Sequence, residues 1–139
     1  MQINPYLFYD GQCEAAFNFY EQAIGAKIEA MMRVAGSPAE DHMPPESRAH
    51  ILHAQMIVDG EVVMASDSPK QLYEKPQGFA VCLNVQTAED GKRKFDALSA
   101  GGNVVMPYGP TFFSPGHGMC VDRFGIPWMV NTVQECPGS

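Results

Sequence analysis

Residues 53–66 read HAQMIVDGEVVMAS, and residues 117–131 read HGMCVDRFGIPWMVN. Each stretch is predicted to form two strands around a tight turn, because apolar and β-branched residues flank a turn signal that contains glycine. An insertion at the second turn aligns the two stretches, matching Val58 with Val121, Asp59 with Asp122, Gly60 with Gly125, Met64 with Met129 and Ser66 with Asn131. This match indicates an internal duplication. The alternative is two unrelated hairpins that share common turn chemistry.

The segments that precede these hairpins match as well. Apolar residues recur at helical spacing over Cys13–Ile24, and Gly25 is expected to end that helix. In the second half a helix is predicted to begin at Thr87, with Asp90 three residues on in a pattern close to a capping box, and to end at residues 101–102. With the strands that flank the helices, each half reads as strand, helix and three strands.

The pattern predicts an α+β fold of two βαβββ modules, whose curved mixed sheets enclose a cavity. We expect a single domain over residues 1–139, with modules at 1–67 and 78–134 joined by a linker at 68–77. The polar, proline-rich segment 35–49 is predicted to be a long loop and a candidate lid.

Composition excludes several classes of partner. The net charge is −7 and the pI is near 4.9, which disfavours nucleic acid and anionic membranes, since both require clustered Lys and Arg. No apolar run is long enough to span a membrane, and no secretory signal is visible. Scattered cysteines without a CxxC pair indicate reduced thiols and a cytoplasmic protein. Cys13, Cys82 and Cys120 are expected to be small buried hydrophobic residues.

Alternation along the strands predicts which side chains share a face. His50 and His53 are three residues apart, so on a strand they point to opposite faces and cannot bind one ion together. If the apolar positions of each strand pack on the helices, the opposite faces form a concave surface shared by His53, Gln55, Met64, Ser66, Met129 and Asn131. A cavity with a few polar groups in an apolar wall is typical of a small-molecule site.

Other positions are weaker candidates. Phe112 follows a Pro/Gly turn and is a candidate wall or cap of the pocket, the alternative being packing that closes the fold or joins two subunits. His117 lies between two glycines and is expected to be exposed, and Asp67 is either a general base or a strand-end turn residue. No GxSxG, Walker or HExxH motif is present, so hydrolase, nucleotide and zincin chemistry is not predicted.

Several stretches resemble the PhnB-like branch of the glyoxalase/bleomycin-resistance/dioxygenase superfamily, also called vicinal oxygen chelate proteins. They are PYLFYDGQCEAAFNFYEQAIG, HAQM followed by VVMASD, GGNVVMPYGPTFF, and DRFGIPWMVN. The resemblance covers residues 3–133 and implies a homodimer. Some members of the branch are described as 3-demethylubiquinone methyltransferases. Methyl transfer is not expected here, because no Gly-rich nucleotide loop follows the first strand and the module pair leaves no room for a methyl-donor domain.

The resemblance also implies a divalent metal that acts as a Lewis acid. The ligand positions of the glyoxalase I pattern fall at Pro5, at His53 or Ala54, near Ala80, and at Met129. His53 is the only candidate metal ligand among them, since proline and alanine offer no donor and the thioethers of Met64 and Met129 are too soft for a hard divalent ion. A different set would join His53 to Glu40 or Asp41 of the loop.

Two classes of function follow. The first is a metal-independent binding protein of the bleomycin-resistance type, which holds a small, partly apolar molecule. The second is a lyase-, isomerase- or dioxygenase-type enzyme that depends on a metal or on His53, with Gln55 or Asn131 orienting a substrate oxygen. His53 is the candidate catalytic residue because an imidazole exchanges protons near neutral pH. A purely structural, hydrogen-bonded histidine is the alternative.

Overall fold

The computed structural model describes residues 1–133, and the chain divides into two units, Met1–Lys75 and one that begins at Pro76. The first unit contains β1 (Tyr6–Tyr9), α1 (Cys13–Ile24), β2 (Lys27–Arg33), β3 (Ile51–Val58) and β4 (Glu61–Asp67). The second contains β5 (Val81–Val85), α2 (Ala88–Ser99), β6 (Asn103–Gly109), β7 (His117–Val121) and β8 (Pro127–Thr132). The long segment between β2 and β3 forms two short 3-10 turns, Glu40–His42 and Pro45–Ser47.

Each unit builds one four-stranded mixed sheet. The strand orders are β1-β4-β3-β2 and β5-β8-β7-β6. In each sheet the first and last strands of the module pair in parallel, and the remaining pairs are antiparallel. The predicted α+β class with two βαβββ modules is therefore confirmed, and neither sheet closes on itself. No helix within residues 1–133 has the length and apolar character needed to cross a bilayer.

Helix α1 has the predicted bounds and packs one apolar stripe on its sheet. Its buried residues are Cys13, Ala16, Phe17, Tyr20, Ala23 and Ile24. The helix ends at Gly25, which adopts a left-handed φ of 71° and donates its N–H to the carbonyl of Tyr20. A residue without Cβ reaches this conformation at no steric cost, which is why glycine ends the helix here.

The N-terminus of α1 is capped by a residue distant in sequence. Asp67, at the end of β4, accepts a hydrogen bond from the backbone N–H of Cys13 at 2.9 Å. Its other carboxylate oxygen accepts the N–H of Ile51, the first residue of β3, at 2.8 Å. Asp67 therefore joins the starts of α1 and β3 to β4, and this structural role accounts for both of its oxygens.

Helix α2 is capped locally, as the sequence predicts. The Thr87 hydroxyl accepts the N–H of Asp90 at 3.1 Å. The buried face of α2 is narrower than that of α1, with Gly91, Phe95 and Leu98 as its buried residues. A Cβ at Gly91 would overlap the Tyr108 hydroxyl, which bonds the Ala88 carbonyl at 2.9 Å and Thr132 Oγ1 at 2.8 Å. Glycine is needed there because the tyrosine approaches the helix backbone.

The turn between β7 and β8 is organised by one buried carboxylate. Asp122 is 3 % exposed and accepts the N–H groups of Phe124 and Ile126 at 2.8 and 3.1 Å. Its second oxygen accepts the indole N–H of Trp128 at 2.8 Å, and the Trp128 ring is itself buried. The matching turn of the first unit is simply Asp59–Gly60, with both residues at positive φ.

The strand registers show which residues of the two modules are equivalent. Tyr6 pairs with Met64 and Cys82 pairs with Met129, so Met64 is equivalent to Met129, and Ser66 to Asn131, as the alignment predicts. The predicted match of Val58 with Val121 is wrong by one residue. The pairs Ile57–Val62 and Val121–Pro127 occupy the same place, because the turn that follows β7 is one residue longer. The same registers make His53 equivalent to His117.

Candidate functional site

Each sheet has one face on which its helix packs and one that the helix leaves uncovered. On the first sheet, Leu7, Ala54 and Ala65 are buried on the helix side. The alternate positions point the other way. We call this uncovered side the first face, and its members are Tyr6, Phe8, His53, Gln55, Met64 and Ser66. The four residues predicted from the first half, His53, Gln55, Met64 and Ser66, therefore do lie on one face.

The first face carries a row of rings, which we call the aromatic shelf: Tyr6, Phe8 and His53. The Tyr6 hydroxyl lies 3.1 Å from His53 Nδ1, and the two ring centroids are 5.7 Å apart. Phe8 follows on the other side of Tyr6, at 5.1 Å between centroids. Phe8 is 52 % exposed and Tyr6 36 % exposed, so the shelf presents accessible aromatic surface.

Polar groups border the aromatic shelf. Gln55 Nε2 donates to the Glu29 carboxylate at 3.0 Å, and this bond fixes the amide with its oxygen as the remaining acceptor. Ser66 is 9 % exposed and lies beside Phe8 in the register. Met64 lies between Tyr6 and Gln55 in adjacent strands. The arrangement combines a flat apolar surface with a few oriented hydrogen-bonding groups.

Sequence analysis missed Tyr6 and Phe8. The signal was present, because YLFY at residues 6–9 alternates, and the burial of Leu7 and Tyr9 sends their neighbours to the other face. Strand β4 lies between β1, which carries Tyr6, and β3, which carries His53. The contact between these two side chains therefore depends on the order of the strands in the sheet. Strand order is not visible in local sequence patterns.

The corresponding side of the second sheet, the second face, carries Cys82, Asn84, Met119, His117, Met129 and Asn131. Three of these residues form a hydrogen-bonded line that we call the amide row: His117, Asn131 and Asn84. Asn131 Oδ1 lies 3.4 Å from His117 Nδ1, and Asn131 Nδ2 donates to Asn84 Oδ1 at 3.2 Å. The structure therefore brings the predicted Met129 and Asn131 together on one face, with partners that were not predicted.

The expectation that His117 is exposed is wrong. The residue is 8 % exposed, because it lies on β7 between β6 and β8 and its ring contacts Phe113 edge to face at 5.1 Å. Flanking glycines favour exposure, but Gly118 lies within the central strand β7 and Gly116 lies just before it. Phe112 is 98 % exposed and contacts Phe113 at 5.2 Å.

The buried thiols of Cys13 and Cys120 are unsuited to nucleophilic chemistry at neutral pH. Burial raises the pKa of Cys13 to about 12, and the nearby carboxylates of Asp67 and Glu14 contribute to the shift. Burial, with the nearby Asp122, raises the pKa of Cys120 to about 11. Cys82 is exposed, which corrects the expectation of burial, because it lies on the edge strand β5 and points onto the second face.

A groove of about 420 Å³ lies beside the start of α2 in the second unit. Its lining includes polar groups of Gln86, Thr111, Ser114 and Thr132. The Ser114 hydroxyl oxygen lies 2.8 Å from the backbone carbonyls of Gly116 and of Thr132, so its single hydrogen is used within the unit. None of the predicted site residues lines this groove.

The donor set does not fit the metal of the superfamily. Pro5 and Ala80 lie just before β1 and β5 and supply no donor side chain, and Met129 supplies a thioether. In the alternative set, Glu40 is already engaged by Arg48 and by the backbone N–H of Gly36. Within residues 1–133, no group of three or more His, Cys, Asp or Glu side chains is arranged to hold a metal ion.

Two solved structures of low sequence identity define the class of fold. A glyoxalase/bleomycin-resistance protein/dioxygenase domain from Frankia has a TM-score of 0.65 at 14 % identity, covering 97 % of this chain and 93 % of that domain. The PhnB protein of Bacillus cereus, described as a putative 3-demethylubiquinone-9 3-methyltransferase, has a TM-score of 0.80 at 24 % identity, with coverages of 96 % and 100 %. At these identities the likeness concerns the fold, which is of the glyoxalase/bleomycin-resistance type.

Closer relatives define the family. Protein PA1353 from Pseudomonas aeruginosa is 41 % identical, with a TM-score of 0.87 and coverages of 97 % and 99 %. Protein YjdN from Escherichia coli strain K12 is 32 % identical, and the match covers 99 % of both chains. The model of the family described as 3-demethylubiquinone-9 3-methyltransferase matches residues 1–131. The chain therefore belongs to this family, and its fold is of the glyoxalase/bleomycin-resistance type that the resemblance in the sequence predicts.

Proposed function

We propose that the protein binds a small, partly apolar molecule on an uncovered face of one of its sheets, without the metal site of the superfamily. The observation that carries this proposal is the aromatic shelf. Half-exposed rings of Tyr6 and Phe8 supply a flat apolar surface, and His53 and Gln55 beside them supply polar groups that can orient an oxygen. This combination is typical of small-molecule sites.

The remaining predicted residues have distinct parts in the proposal. Met64 on the first face and Met129 on the second each offer an unbranched side chain that can adapt to a molecule bound on the same face. Ser66 and Asn131 supply hydrogen-bonding groups at equivalent positions of the two modules. Phe112 is an aromatic cap within the second unit, consistent with its nearly complete exposure.

A thermal-shift screen of small aromatic amides, acids and quinones tests the proposal, run with and without a chelator. We expect at least one compound to stabilise the protein equally in both conditions, and Phe8→Ala to abolish most of that stabilisation. Lys92→Ala is the matched control, since Lys92 is an exposed residue of α2 that pairs with Asp96. Stabilisation that appears only with an added divalent metal, or none across the screen, would contradict the proposal.

A second candidate function is a His53-assisted enzyme of the lyase, isomerase or dioxygenase type. The contact between the Tyr6 hydroxyl and His53 Nδ1 favours it, because a phenol can fix the tautomer and orientation of an imidazole that moves a proton. Turnover of a compound found in the screen would establish it. In that case His53→Ala should abolish turnover, and Tyr6→Phe should lower kcat more than it changes KM.

Self-association as a homodimer is also part of the proposal. It is supported by the edge strand β6, on which Val104, Val105 and Met106 are each more than 40 % exposed. Light scattering after size-exclusion chromatography measures the mass directly, and a monomeric mass at micromolar concentration would contradict a stable dimer.

A further inference from the structure

We infer that the second face recognises an uncharged carbonyl oxygen of a molecule bound on that face, through an amide N–H of Asn84 that is held in place by Asn131 and His117. The inference rests on the proposed function and deepens it, because it names a chemical group of the ligand, a recognition residue, Asn84, and a positioning residue, His117.

The amide row has a fixed direction. Asn131 Oδ1 can only accept, so the hydrogen in its contact with His117 belongs to His117 Nδ1. Asn131 Nδ2 then donates to Asn84 Oδ1. With its oxygen engaged, Asn84 presents Nδ2 at the end of the row. The row therefore ends in a donor, which is complementary to an acceptor on the ligand.

One end of the amide row is buried and the other end is exposed to solvent. His117 is 8 % exposed and contacts Phe113, whereas Asn84 is exposed on the edge strand β5. Over residues 1–133, no protein group accepts a hydrogen bond from Asn84 Nδ2. An exposed amide that is oriented by a protected partner loses less conformational entropy on binding than a free one.

Charge limits the class of acceptor. The strands of the second sheet read VCLNV, NVVMPYG, HGMCV and PWMVNT, and they contain no Lys, Arg, Asp or Glu. No fixed cation of this sheet is available to a carboxylate, and the net charge of −7 disfavours anions in general. The favoured acceptor is the neutral carbonyl of an amide, ketone or ester. Met119 and Met129 provide apolar contacts for the rest of the molecule.

The amide row belongs to the second module alone. At the equivalent positions the first face carries Phe8 in place of Asn84 and Ser66 in place of Asn131. Both modules carry a histidine at the third position, His53 and His117, but His53 contacts a tyrosine hydroxyl instead of an amide. This difference assigns the carbonyl to the second face and not to the aromatic shelf.

The test is a titration of the full-length ¹⁵N-labelled protein with benzamide, benzoate and toluene, followed through the side-chain NH₂ signals of asparagine and glutamine. We expect benzamide to shift the Asn84 signals in a saturable way, and benzoate and toluene to bind at least about tenfold more weakly. Asn84→Ala should weaken benzamide binding by about tenfold. Asn18→Ala, which alters an exposed amide on α1, should leave binding unchanged.

The positioning role of His117 has its own readout. A long-range ¹H–¹⁵N spectrum should show His117 as the tautomer protonated at Nδ1, and Asn131→Leu should reduce benzamide affinity by about threefold. A His117 protonated only at Nε2 would overturn the direction of the row.

Three outcomes of the titration would overturn the inference. Benzoate binding as tightly as benzamide would exclude a preference for a neutral carbonyl. If benzamide shifted the NH₂ signals of Gln55 but not those of Asn84, the second face would not be the carbonyl site, and the proposed function would still stand. No benzamide shift at either face at millimolar concentration would also overturn it. Failure of the proposed function itself would appear separately, as the absence of any stabilising compound that depends on Phe8.

Discussion

The two sheets have the same strand order and differ in the side chains on their uncovered faces. At equivalent register positions, the first face has Tyr6 and Phe8 where the second has Cys82 and Asn84. The helix-facing sides stay apolar in both. The strand register therefore determines where a side chain lies, while the residue types at equivalent positions, including those of the parallel edge strands β1 and β5, determine the chemistry that each face offers.

The two modules also anchor their helices differently. Asp67 caps α1 from the end of β4, and Thr87 caps α2 from the residue just before it. The first arrangement depends on the assembled sheet and the second forms within one turn of chain. If the modules differ in this way, substitutions at equivalent places in the two should have unequal effects on stability and binding.

Asp122→Ala should destabilise the second unit by about 3 to 4 kcal/mol, because it removes the acceptor of two backbone N–H groups and of the Trp128 indole in a buried site. Urea denaturation followed by the fluorescence of Trp128, the single tryptophan, measures this unit directly. Asp59→Asn at the equivalent turn is the control and should stay within about 0.5 kcal/mol, since Asn tolerates a left-handed φ. Equal losses of stability in Asp122→Ala and Asp59→Asn would contradict a structural difference between the two turns.

Gly116→Ala should cost about 2 to 3 kcal/mol, because the added Cβ would overlap the Tyr108 ring and hydroxyl. The same denaturation experiment measures it. Gly109→Ala provides the matched glycine, since its Cβ would meet no heavy atom within 4 Å. If both variants retained full stability, close packing of Tyr108 would not distinguish the second module.

Asp67→Ala should cost about 2 kcal/mol, and Thr87→Ala about 1 kcal/mol, because the first change removes two hydrogen bonds to backbone N–H groups and the second removes one N-cap. Circular dichroism during urea denaturation reports both. A larger loss from Thr87→Ala would reverse the contrast between the distant cap and the local one.

Phe8→Asn gives the first face the residue that the second face has at the same register position. We expect an aromatic compound that binds the shelf to lose about tenfold in affinity, or about 1.4 kcal/mol, because ring contacts are replaced by a small polar group. Isothermal titration calorimetry measures the change, with Asn18→Ala as the control. An unchanged Kd would show that the shelf is not the binding surface.

Stability should fall as pH rises above 9. The thiols of Cys13 and Cys120 have a pKa of about 12 and about 11 in the folded chain, raised by burial from an ordinary value of 9.0. The thiol ionises at a lower pH in the unfolded chain than in the folded one, so unfolding releases a proton at pH values between 9.0 and the folded pKa. Over that range each cysteine lowers the free energy of unfolding by at most about 1.4 kcal/mol per pH unit. Comparing urea denaturation at pH 8 and pH 10, Cys13→Ala should remove about 1 kcal/mol of the decrease. An identical decrease in the variant would contradict the assignment.

Local sequence patterns predicted the class of fold and the bounds of α1. The features that they did not predict depend on contacts between segments that are distant in the chain. The bounds of α1 and the Thr87 cap follow from residues within one or two turns of each other. The Asp67 cap, the contact of Tyr6 with His53 and the burial of His117 require knowing which strands are neighbours. The alignment of Val58 with Val121 failed because identical dipeptides near a turn are weaker constraints than the hydrogen-bond register of the paired strands.

The same limit applies to the candidate site. His53, Gln55, Met64 and Ser66 were grouped correctly because alternation along two adjacent strands is a local property. Asn84 could not be selected, since its significance depends on the parallel pairing of β5 with β8, which places it beside Asn131.

Asp67 has a consequence for the motions of the first unit. Its two oxygens hold the amide hydrogens that begin α1 and β3, so neither amide exchanges with solvent unless the carboxylate moves away. Cys13 and Ile51 should therefore show the same opening free energy in native-state hydrogen exchange, although they are far apart in the chain. A single side chain would then couple the opening of a helix to the opening of a central strand.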